Sequence, residues 1–133
     1  MVSTSLQLAP NGPSWSLAFV LENTTAGELR GQLYEPFVGF KLEVTSATGE
    51  RLVLVEPSLD MPVRPRSLVL APGAKERLQT PIRLRFDPAV PPSGGNDPRL
   101  WTIRSAPVPV RLRATLEITG MPLQVADATL DPG

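Results

Sequence analysis

Sixteen prolines are spread through 133 residues, and they leave little room for helices. A proline inside a helix removes a hydrogen bond and collides with the preceding turn, at a cost of about 3 kcal/mol. Only the stretches 14–35 and 37–56 run twenty residues or more without one. Both read as strands joined by turns. Trp15, Leu17, Phe19 and Leu21 alternate with Ser16, Ala18, Val20 and Glu22, a period of two with one strongly apolar face. Asn23-Thr24-Thr25 ends that run with turn chemistry; it also fits a glycosylation sequon, though the turn is the favoured reading.

The same period recurs along the chain. Phe40, Leu42 and Val44 share a face, and Ser46 to Glu50 supplies a hairpin loop with Gly49 for the positive φ. Arg51 to Glu56 is expected to return as the partner strand. Its unbroken apolar run, Leu52 to Val55, predicts burial on both faces or an interface. Ser67 to Ala71 is a short strand, and Pro72-Gly73 a tight turn. From Glu76 to Phe86, Leu78, Thr80, Ile82, Leu84 and Phe86 face inward, with Arg77, Gln79, Arg83 and Arg85 outward. Pro81 in that run implies an edge position or a bulge. Asp87 to Arg99 is a long loop, Leu100 to Arg104 a short strand, and Met121 to Leu130 a terminal one. Between them, Val110, Leu112, Ala114, Leu116 and Ile118 point inward, against Arg111, Arg113, Thr115 and Glu117. One segment has two readings: Thr25 and Glu28 have capping-box spacing, so a short helix over 25–33 competes with extended chain, weakened by Gly27 and Gly31.

These elements predict an all-β chain: one antiparallel, immunoglobulin-like β-sandwich domain over 1–133, of about 7–9 strands. The run Leu68-Val-Leu-Ala-Pro-Gly-Ala, followed by Leu78, resembles the strand–turn–strand of many bacterial immunoglobulin-like domains. That resemblance implies a fold and no chemistry.

The residue types then narrow the chemistry. The chain has neither histidine nor cysteine, which removes the commonest general acid/base, the usual nucleophile–base pairs and the ordinary zinc ligands. Both lysines, Lys41 and Lys75, sit at outward or turn positions, a poor setting for an activated amine. Ser93-Gly94-Gly95-Asn96 has no helix after it, so it reads as a loop and not a phosphate cradle. Asp87, Asn96 and Asp97 could converge on calcium, but turn-forming Asx residues explain them better. The expectation is a protein that is not an enzyme and that has no cofactor. Met1 to Pro10 lacks the basic and apolar regions of a signal peptide, and no apolar run is long enough to span a membrane. The expected setting is the cytoplasm or an assembly.

Formal charge sums to zero but is segregated. Residues 1–63 hold three bases against seven acids, and residues 64–113 hold ten bases against three acids. A nucleic-acid domain would carry a net basic balance, so no nucleic-acid partner is expected. The basic sector does suggest a surface. If their strands pair, Arg83, Arg85, Arg111 and Arg113 could line one sheet face, free to bind carboxylates or phosphates. The competing reading pairs them with acids such as Glu22, Glu43 and Glu117. Arg99 and Trp101 flank the end of the long loop, with Trp101 the candidate exposed anchor and Trp15 a core residue.

The favoured function is a non-enzymatic interaction or structural module, binding another protein or its own copies, such as a component of a bacterial or phage assembly. The alternative is a ligand-binding module for an anionic or carbohydrate ligand, built on the outward arginines and the 87–101 loop. A third reading resembles the bacterial intracellular proteinase inhibitors, which share a sandwich of this style. A small-molecule ligand is the less favoured partner.

Overall fold

The computed structural model describes residues 2–35, 39–56, 63–90 and 100–132. It is all-β, with no helix among those residues. Ten strands follow in chain order: β1 (Val2–Asn11), β2 (Ser14–Asn23), β3 (Leu29–Glu35), β4 (Phe40–Ser46), β5 (Leu54–Val55), β6 (Arg64–Leu70), β7 (Lys75–Phe86), β8 (Leu100–Ile103), β9 (Val110–Leu116) and β10 (Gln124–Leu130). They form three sheets, ordered β1-β2-β7-β8-β5, β10-β9-β4 and β3-β6.

The alternating residues place the core. Leu17, Phe19 and Leu21 from β2 are essentially inaccessible, as are Leu78 and Leu84 from β7. They meet Phe40, Leu42 and Val44 from β4, and Val110, Leu112, Ala114 and Leu116 from β9. Leu33, Leu68 and Leu70 from the β3–β6 ribbon join the same cluster. Phe40 is the aromatic hinge of this core, edge-on to Phe19 at 6.4 Å and tilted against Trp101 at 5.2 Å.

Four expectations need correction. The first is the helix over 25–33: residues 25–27 bend and β3 begins at Leu29. Asn23 explains why. Its Oδ1 accepts from the Thr25 backbone N–H at 2.9 Å and from the Thr25 hydroxyl at 2.6 Å. Thr25 therefore closes an Asx turn instead of capping a helix, and Glu28 is drawn to Arg30 at 2.6 Å. The Asn23 amide also donates to Gly27 O and Leu70 O, so this fully buried side chain ties the bend to β6.

The second is the partner strand over Arg51 to Glu56. The hairpin forms as expected, with Gly49 at φ 90° and Ser46 N–H donating to Glu50 O. The chain stays beside β4 only to Leu52, whose N–H donates to Val44 O, and then crosses to pair with β8 as β5. The apolar run is the crossing itself: Val55 is buried while Val53 is exposed.

The third is the uniformly antiparallel arrangement: β7 and β8 pair in parallel, Arg83 opposite Leu100 through Phe86 opposite Ile103. The fourth is the strand number, which is ten among the described residues. At Pro81 the β2–β7 register shifts, from Arg83 opposite Ser16 to Gln79 opposite Ala18. Three β7 residues thus face the single β2 residue Leu17, and Gln79 Nε2 donates to Leu17 O at 3.2 Å, supplying the partner that the ladder lacks there.

The β3–β6 ribbon is fastened to the chain just past β9. Gln32 and Thr119 exchange both backbone hydrogen bonds, at 2.9 and 2.8 Å. The approach is close enough that only glycine fits at position 31, where a Cβ would lie 2.5 Å from Ile118 Cγ2.

Candidate functional site

The expected cluster of four arginines does not assemble. Arg83 and Arg85 lie on β7 and pair against β2 and β8; Arg111 and Arg113 lie on β9, between β4 and β10 in a different sheet. Arg85 Nε donates to Thr102 Oγ1 at 3.0 Å. Arg83 is half-buried opposite Ser16, and its guanidinium has no hydrogen bond or ion pair among the described residues. Trp101, expected to be an exposed anchor, is only 5% exposed, because β8 is an interior strand and its indole fills the core beside Phe40. Trp15 is half-buried and edge-on to Phe86 at 5.7 Å. Arg99, Ser93 to Asn96 and Asp97 lie outside the described residues. Asp87 accepts from Ala89 N–H at 2.9 Å, an Asx turn, and among the described residues no three His, Cys, Asp or Glu side chains gather around a common point.

What the structure does build is a polar grid on the outer face of β10-β9-β4. Strand alternation buries Val110, Leu112, Ala114 and Leu116 and turns Arg111, Arg113 and Thr115 outward. The registers on either side place three residues in each row. Glu43, Arg113 and Asp127 form one; Thr45, Arg111 and Thr129 form the next; Lys41, Thr115 and Val125 form the third. The first two rows line a shallow depression of about 680 Å³.

Two arginines on one strand, two residues apart, thus have opposite surroundings. Arg113 meets acids on both sides. Its Nε donates to Asp127 Oδ1 at 2.9 Å, and a second guanidinium nitrogen lies 3.5 Å from Oδ2, the two-pronged geometry suited to a carboxylate. The hydrogen bond to Asp127 and then its charge, with Glu43 adding a smaller contribution, raise the Arg113 pKa above its already high value. Glu43 itself reaches Arg51 at 3.5 Å. Arg111 stands between two threonines, is exposed, and its guanidinium has no hydrogen bond or ion pair among the described residues.

The competing expectation, these four arginines paired with acids such as Glu22, Glu43 and Glu117, is met in part by Arg113 alone, which stands opposite Glu43 but forms its ion pair with Asp127. Glu22 takes Lys75 at 3.6 Å, Glu43 takes Arg51, and Arg113 takes Asp127 from the C-terminal strand. Thr45, Thr129 and Asp127 were not legible as neighbours. Their placement depends on which strands pair and in what register, which alternation along one strand does not encode.

No family model and no curated protein matches the chain. Among the described residues, no helix is long and apolar enough to cross a membrane.

Proposed function

We propose that this chain is a non-enzymatic interaction or assembly module on an immunoglobulin-like β-sandwich, and that it binds another protein or its own copies through the outer face of β4, β9 and β10. The observation that supports the reading is the character of that depression. It is an open sheet face lined by exposed charged and hydroxyl side chains in register. Small-molecule sites are instead mostly concave and enclose most of the ligand surface. A face of this kind suits a partner broad enough to cover it, with polar pairs setting orientation and specificity.

The lysines offer a direct test. Lys41 stands on the proposed face, and Lys75 stands on the other large sheet, opposite Glu22. Size exclusion with light scattering, over a range of concentration and salt, reports whether the chain associates with itself. An amine-reactive cross-linker applied to the self-assembled chain, or to the chain recovered with a partner, should then join that partner through Lys41. A chain that stays monomeric without a partner at any salt concentration sinks the reading. Cross-links confined to Lys75 move the surface to the other sheet.

A further inference from the structure

We propose that Arg111, with the hydroxyls of Thr45 and Thr129, is the seat for a carboxylate side chain presented by a protein partner. This rests on the interaction-module reading and names the chemistry of its central contact.

Arg111 and Arg113 share a strand, a face and exposure to solvent, and differ only in what stands beside them. Arg113 has its acid within the fold, so its donors are occupied. Arg111 has five side-chain donors and no acid bonded to them among the described residues. Neighbouring strands lie about 4.8 Å apart, so Thr45 and Thr129 stand in register on either side of Arg111, at the base of its side chain. The guanidinium fork matches the planar, two-oxygen geometry of a carboxylate, and the two hydroxyls are further donors on the same row. Of the two acids that line the depression, Glu43 meets Arg51 and Asp127 meets Arg113, so Arg111 is a cation there with no ion pair among the described residues.

The openness of the face selects the source of the carboxylate. A free anion held by one exposed arginine is weakened by solvent and salt. An acidic residue carried on a larger surface would shed that water when the surface covers the depression, and the contact strengthens as it dries.

The test uses the full chain, isotope-labelled for NMR, at low ionic strength. The probes are a capped oligoglutamate peptide, the matching oligoglutamine peptide and inorganic phosphate. Oligoglutamate should move the Arg111 Nε–H signal and the Thr45 and Thr129 amides saturably, leave Arg83 and Arg113 unmoved, and have no counterpart with oligoglutamine. Arg111→Gln should weaken that binding by about tenfold or more, as expected for a lost hydrogen bond to a charged group. Arg111→Lys should fall between, keeping the charge and losing the fork. The double substitution Thr45→Glu/Thr129→Asp, which copies the surroundings of Arg113 onto Arg111, should abolish it. Equal movement of Arg83 and Arg111, or no movement, overturns the proposal. So does phosphate saturating the seat more tightly than the peptide, which would make it a site for a free anion. Association through Lys41 that persists in Arg111→Gln rejects the seat and leaves the interaction module standing; a wild-type chain that never associates rejects the module itself.

Discussion

Gly31 and Ile118 pack so closely that a methyl group at position 31 would lie 2.5 Å from Ile118 Cγ2 and 3.1 Å from the Thr119 carbonyl oxygen. This contact, beside the Gln32–Thr119 bridge, is where the β3–β6 ribbon joins the rest of the fold. Gly31→Ala should destabilise the chain by about 1–3 kcal/mol, the usual range for overpacking. Urea unfolding measures it. Because the collision is with one methyl group, Ile118→Ala should recover part of the loss in the double variant, giving a coupling that separates a steric effect from a general loss of order. A Gly31→Ala protein as stable as wild type would show that the ribbon shifts freely.

Asn23 makes a second prediction. Its buried amide donates to Leu70 O and Gly27 O while its carbonyl accepts from Thr25. Asn23→Ala should cost about 1–3 kcal/mol, the penalty for leaving such buried groups unsatisfied. Asn23→Asp should cost more, since it sets a buried carboxylate against two carbonyl oxygens. Denaturant midpoints order the three proteins, and a neutral Asp variant would contradict the bonding described.

The two tryptophans can be told apart in solution. Trp101 is 5% exposed against Phe40, whereas Trp15 is half-buried at the edge of Phe86. In single-tryptophan variants made by Trp15→Phe or Trp101→Phe, acrylamide should quench Trp15 more strongly than Trp101. The reverse order would restore Trp101 as a surface anchor.

The pair Arg113–Asp127 is exposed on both sides, with side chains 59% and 62% accessible. Exposed ion pairs contribute little to stability. Asp127→Asn should therefore leave the urea midpoint unchanged within error while freeing the Arg113 guanidinium, so the Arg113 Nε–H signal should begin to respond to oligoglutamate. An unfolded Asp127→Asn protein would mean that the pair holds β9 and β10 together.

Local alternation was enough to orient most side chains. Leu17, Phe19 and Leu21, then Phe40, Leu42 and Val44, then Val110 to Leu116, point inward as their spacing predicts, because a strand with one apolar face has one stable orientation. Two strands escaped. In β1, Leu6 and Leu8 alternate with Ser5 and Gln7, and Asn11-Gly12 is a strong hairpin signal; Gly12 at φ 63° begins the two-residue link to β2. In β3, the capping-box spacing competed with a strand that exists because β6 and the chain past β9 stand beside it. The arginine surface failed for the same reason: phase along β7 and β9 shows which way each arginine points, whereas its neighbours depend on pairings between distant segments. Whether Arg111 or Arg113 is neutralised is decided by register alone.

The grid around Arg111 carries a last consequence. Its three members come from β4, β9 and β10, and the β4–β9 ladder joins parts of the chain on either side of four other strands. The seat therefore does not exist in a nascent or partly folded chain. A partner that reads it would bind only the finished fold, and by mass action would stabilise that fold by an amount that grows with the logarithm of its concentration above Kd. Recognition at this face would double as quality control: an unfinished copy has nothing there to grip.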